Sequence, residues 1–74
     1  MKLVRVTLVL AAVALLFAQA DSALQRAIRK ETLEGDLTGA IESYKKLAQS
    51  RDRAVAAKAL VRMGQCYEKL GDTE

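Results

Sequence analysis

Any chemistry in this chain has to come from a short list of side chains. There is one cysteine, Cys66, and no histidine. A thiol or hydroxyl nucleophile needs a neighbouring base, most often an imidazole. Without one, Cys66, set between Gly64 and Tyr67 on a helical stretch, reads as a small buried packing residue. A lone cysteine forms no disulfide within the chain, and no His/Cys metal site can be assembled. Glu31, Glu34 and Asp36 form an acidic cluster without the spacing of a calcium loop, and they read as a solvated turn. Lys45-Lys46 and Arg51-Asp52-Arg53 are short basic runs next to or broken by acids. They read as surface solvation rather than a track for phosphates. No glycine-rich phosphate loop occurs. The expectation is a non-enzymatic chain with no catalytic residue, no metal, no cofactor and no nucleic-acid partner.

The elements around these residues fall into two segments. Residues 1–20 read MKLVRVTLVLAAVALLFAQA. Lys2 and Arg5 give a basic end, Val6 to Ala18 an apolar run interrupted only by Thr7, and Ala18-Gln19-Ala20 a small-x-small cleavage signature. Together they read as a secretory signal peptide cleaved after Ala20. The run is shorter than the roughly 20 residues a membrane span needs. The expected location is the periplasm or cell envelope, with membrane contact only if the segment stays uncleaved. No cysteine lies near residue 20 to support lipid attachment, and no Arg-Arg pair points to the twin-arginine route. Removing this address leaves 54 of the 74 residues, with 10 Lys and Arg against 9 acids. The basic balance of the whole chain is therefore largely a targeting charge.

Residues 21–74 carry an internal repeat. A shift of 36 lays Ala23 on Ala59, Leu24 on Leu60, Arg26 on Arg62 and Gly35-Asp36 on Gly71-Asp72. A period in this range is the mark of stacked helix pairs. The first helix is expected to open at a capping box, Ser22 to Gln25, and to carry Leu24, Ala27 and Ile28 inward. Gly35 supplies a left-handed stop and Asp36 caps the next helix. Leu37, Ala40, Ile41, Tyr44, Leu47 and Ala48 then make one continuous stripe, with Glu42 and Lys46 paired on its wet side. Asp52 is the expected cap of a third helix, whose stripe reads Ala56, Leu60, Met63, Gly64, Tyr67 and Leu70. Gly64 in mid-helix predicts a close crossing by a neighbour, since glycine there otherwise costs about 1 kcal/mol. No alternating run predicts a strand. The fold class is all-α, an antiparallel helix-turn-helix solenoid start preceded by a signal-peptide helix.

Leu60, Met63-Gly64, Tyr67 and Gly71-Asp72, together with Gly35-Asp36, Ala40-Ile41 and Tyr44, resemble the tetratricopeptide (TPR) repeat. The texture AAKALVRMGQCYEKLGD behind a signal peptide is similar to exported bacterial TPR proteins of the Tol-Pal-associated and outer-membrane-assembly type. It is similar, more weakly, to secreted proteins with a short TPR module before a β-propeller. In the first unit Ile28 and Glu31 stand where the family has glycine and tyrosine. The resemblance implies a protein or peptide partner held in a groove lined by the first helix of each unit. By position that groove takes Ser22, Gln25 and Arg29 from one unit and Lys58, Val61, Gln65 and Glu68 from the next. It also implies that residues 21–74 hold about one and a half repeats, the start of a longer protein. The unpaired third helix then invites self-association. The function implied is an exported scaffold for protein contacts; the alternative is the first module of a larger secreted enzyme or propeller protein.

Overall fold

The computed structural model describes residues 2–71, with side-chain surroundings for residues 14–71. Three helices follow in order: α1 Lys2–Thr32, α2 Leu37–Leu47 and α3 Arg53–Gly71. No strand occurs among the described residues. The side chains of the expected basic end and of the apolar run as far as residue 13 lie outside this description. So does Asp72, the second half of the expected Gly-Asp turn.

The turns form where the polar residues sit. After α1, Gly35 takes φ +68°, the one positive φ among the described residues. The Asp36 amide reaches back to the Lys30 carbonyl at 2.9 Å, closing the end of α1 with a backbone hydrogen bond across the glycine. Asp36 then caps α2, its carboxylate accepting from the Gly39 amide at 2.9 Å. Asp52 does the same for α3, accepting from the Ala54 and Val55 amides at 3.1 and 3.3 Å. Each acid meets backbone donors that the first turn of a helix leaves unpaired.

The expected start of the first helix is not where α1 begins. α1 runs unbroken through Ala18-Gln19-Ala20 and Ser22, so Ser22 lies inside the helix and caps nothing. No proline or glycine interrupts residues 2–32, and a serine alone does not stop a helix whose neighbours all favour it. The ion pair on α2 is also shifted by one residue: Glu42 meets Lys45, not Lys46, at 3.3 Å.

Leu24 and Ala27 of α1, Ala40, Ile41, Tyr44 and Leu47 of α2, and Val55, Ala59 and Cys66 of α3 make the buried core. The short connection of residues 33–36 forces α1 and α2 to run antiparallel. α3 returns along α1's direction, so that Leu24 and Ile28 lie across from residues 57–65 and Glu31 reaches Lys69. α2 packs between them, and two fully buried alanines, Ala40 and Ala59, let the helices approach.

α3 is turned relative to the expected stripe. Val55, Ala56, Ala59 and Cys66 point inward, whereas Leu60 and Tyr67 are 51% and 50% exposed. Met63 and Leu70 are partly buried against the core, as expected. Gly64 is exposed, and a Cβ there would meet nothing within 4 Å. The close crossing expected at Gly64 is therefore absent among the described residues. α3 is apolar on two sides, and its small residues, not its large ones, face α2.

Candidate functional site

Two constellations emerge, one buried and one open. The buried one centres on Glu31, only 5% exposed. Expected in a solvated turn, it instead ties all three helices together. Tyr44 of α2 donates its hydroxyl to Glu31 Oε1 at 2.7 Å. From α3, Arg62 Nη1 donates to the same oxygen at 3.3 Å and Lys69 Nζ to Oε2 at 2.7 Å. Spacing explains the placement. Glu31 lies four residues after Ala27 and seven after Leu24, on α1's inward stripe. Arg62, Cys66 and Lys69 lie three to four residues apart on α3, so the two cations flank the buried thiol and converge on the carboxylate. The missed signal was this register: the charge of Glu31 outweighed its position in the reading of the sequence.

A carboxylate near the C-terminus of α1 sits at the wrong end of the helix dipole. Burial also pushes its pKa up. Hydrogen bonds from Lys69, Tyr44 and Arg62 and the Lys69 charge overcome burial, and the net direction is down. Glu31 is therefore an ion at neutral pH. Tyr44 moves up, through burial and then through its bond to the Glu31 carboxylate. The Cys66 thiol moves up as well, through burial and then the nearby Glu31 charge. Chemically the centre is inert. The carboxylate already accepts three donors, the phenol and thiol are held neutral, and Cys66 and Tyr44 are fully buried. No buried side-chain polar atom among the described residues lacks a partner. Such a centre joins the three helices.

The open constellation is a groove of about 550 Å³ between α1 and α3. Leu24, Ile28, Ala57 and Val61 supply its apolar surface, and Gln25, Lys58, Arg62 and Gln65 its polar atoms. Four of the expected groove residues, Gln25, Lys58, Val61 and Gln65, thus line one cavity. Arg29 and Glu68 are exposed but outside its lining, and Ser22 borders a separate shallow depression beside Leu15 and Arg26. Arg62, absent from the expected set, joins the groove to the buried centre, since it lines one and donates to the other. Its side chain is about a third exposed, at 35%.

The groove offers hydrogen-bond donors and positive charge over an apolar floor. That combination suits an extended peptide carrying a carboxylate. No group of three or more potential metal ligands occurs among the described residues. Nor, among them, is any helix long and apolar enough to cross a membrane. A scan against protein-family models and searches of curated proteins and of solved structures find no match to this chain.

Proposed function

We propose that this chain is an exported, TPR-like helical scaffold that holds an extended segment of a partner protein in the groove between α1 and α3. The observation that carries the reading is the placement of the sequence repeat. The two segments related by the 36-residue period are α1 and α3, which run in the same direction with α2 packed between them. Their facing sides form the groove, and Gln25, Lys58 and Gln65 project into it. A repeat whose equivalent helices line one surface is the arrangement by which stacked helical units bind peptides. Lys58 and Arg62 give that surface a preference for acidic segments.

The export half of the reading rests on residues 1–20. Among the residues whose side chains are described, every buried core residue lies beyond Ala20. Ala20 itself packs partly against the core within α1. Proteases bind chains in extended form, so cleavage after Ala20 has to precede closure of the helix there. N-terminal sequencing of the exported protein should then begin at Asp21; an intact Met1 would sink this half of the proposal.

A photo-crosslinking side chain at Gln65 tests the groove. In the exporting cell it should capture a discrete partner band, and Lys58→Glu should reduce that band several-fold. Crosslinking that is unchanged by Lys58→Glu, or absent from Gln65 while present at a control site on the outer surface of α2, would overturn the assignment.

A further inference from the structure

The outer side of α3 carries a second surface, which meets the edge of the groove at Ala57 and Val61. Ala57, Gly64 and Gly71 recur at every seventh residue, and Leu60 and Tyr67 follow the first two by three. All five are exposed. This is the a/d pattern of a helix seam, with small residues at one position and large ones at the other. Nothing lies within 4 Å of a Cβ built at Gly64 or Gly71, so the backbone is open to close approach. Leu60 and Tyr67 are the repeat equivalents of Leu24 and Glu31, the α1 residues covered by the antiparallel helix α2. The equivalent face of α3 therefore has the shape to receive an antiparallel helix.

We propose that the helix it receives is α3 of a second copy of this chain. Charge complementarity selects that occupant. Arg53 lies at the start of the seam and Glu68 near its end. Both are exposed, and neither joins an ion pair among the described residues. They stand fifteen residues apart, about 22 Å along a helix. When two α3 helices cross antiparallel about the point between Leu60 and Val61, Arg53 meets the partner's Glu68, and Glu68 meets the partner's Arg53. The same register places Leu60 against the partner's Val61, Gly64 against the partner's Ala57, and Tyr67 against the partner's Ala54. Tyr67 faces a small residue, the backbones approach where Gly64 meets Ala57, Leu60 packs on Val61, and plus faces minus, each twice over, as a twofold interface requires. A parallel crossing in register would bring Arg53 onto the partner's Arg53 and Glu68 onto the partner's Glu68.

The test is sedimentation equilibrium of the full chain in a density-matched, non-ionic detergent that shields the apolar N-terminal segment. The chain should be dimeric at micromolar concentration. Arg53→Glu and Glu68→Arg should each weaken the dimer about tenfold, and the double variant should restore it to within a few-fold of the parent. Both substitutions suit the helix dipole, an acid in the first turn and a base near the last, so lost association is not lost helix. Circular dichroism of each variant checks this directly. A parent chain that stays monomeric leaves the seam for some other occupant and overturns the proposal. So does a dimer insensitive to the single reversals, or one not restored by the double. Peptide capture at Gln65 reads the groove and sedimentation reads the seam. Because the two surfaces share Ala57 and Val61, capture is scored at a concentration where the chain is monomeric, so that failure of either reading is told from failure of the other.

Discussion

Leu24 and Leu60 occupy the same position of a 36-residue repeat, yet one is 1% exposed and the other 51%. Their neighbours Ala23 and Ala59 differ in the opposite sense: Ala59 is fully buried and Ala23 only partly. The exchange follows from where α2 lies. It covers the side of α1 that carries Leu24 and the side of α3 that carries Ala59. A helix in a stacked array has two apolar sides, and each of these two helices has one of them covered by α2. Equivalence in sequence is thus equivalence of backbone and of available faces, not of burial. A position's burial is decided by which neighbour is present.

The sharpest way to break this comparison is to truncate both leucines. Leu24→Ala removes a side chain buried in the core, and such changes cost about 2–5 kcal/mol. Leu60→Ala removes one that faces solvent, and surface changes stay within about 0.5 kcal/mol. Chemical denaturation of both variants, at a dilution where the chain is monomeric, should show that gap. Equal losses would mean that Leu60 is packed in solution and that the two positions are alike after all.

Glu31 and Tyr67 extend the comparison to the other end of the repeat. Glu31 binds α2 and α3 at once, whereas Tyr67 is half exposed. Glu31→Ala strands the buried Tyr44 hydroxyl and separates Lys69 and Arg62 from their counter-charge. Removing one partner of a fully buried ion pair costs about 3–5 kcal/mol. Lys69 is half exposed and Arg62 about a third, so water takes back part of that. About 2–3 kcal/mol is expected, most of what a core of this size supplies. Tyr67→Ala should cost far less. A Glu31→Ala variant that melts within a degree or two of the parent would remove the centre's role as the joint between helices.

The same centre sets a pH window. The folded pKa of Glu31 is depressed, so its contribution is complete above the unfolded value near 4.3 and is lost as pH falls through the folded value. Tyr44 and Cys66 are shifted the other way. Their contributions are complete below their unfolded values, near 10 and 8.5, and are lost as pH rises towards the folded ones. Unfolding midpoints in urea should therefore hold a plateau from about pH 5 to 8 and fall on both sides. Cys66→Ala should flatten part of the alkaline side and leave the acid side in place, whereas Tyr44→Phe should also shrink the acid side, because the Tyr44 hydroxyl helps hold Glu31 down. An acid side that is flat in the parent would show Glu31 to be solvated.

The parts of the molecule that could be read from the sequence share a local cause. Asp36, Asp52 and Gly35 act on backbone groups within a few residues, and each does what its residue type predicts. The α2 stripe of Ala40, Ile41, Tyr44 and Leu47 was legible because α2 is apolar on one side only. α3 was misread because it is apolar on two sides. Residues 59 and 60 lie one apart, about 100° around a helix, and periodicity alone cannot choose between their faces. Glu31 was misread for a related reason. Its burial depends on cations 31 and 38 residues away in the chain, a pairing that no local pattern contains. Of the residues that the TPR resemblance placed on a groove, Gln25, Lys58, Val61 and Gln65 line one cavity and Ser22, Arg29 and Glu68 do not, while Arg62, which lines it and also serves Glu31, was not among them.

Gly64 gives the smallest expected effect and the most discriminating one. Mid-helix glycine looked like a close contact, but its φ is not positive and a Cβ there has open space around it. Gly64→Ala should therefore stabilise the monomer, by about 0.5–1 kcal/mol from helix propensity and reduced freedom of the unfolded chain. In a domain of this size that raises the melting midpoint by roughly 3–8 °C. The gain belongs to the isolated helix face. Where two α3 seams meet, Gly64 lies against the partner's Ala57, and the added methyl group intrudes twice at a twofold crossing. The variant should accordingly melt higher at low concentration and dimerise more weakly at high concentration. If the outer side of α3 is instead packed against its own chain, the methyl group overpacks that contact and the melting point falls at every concentration.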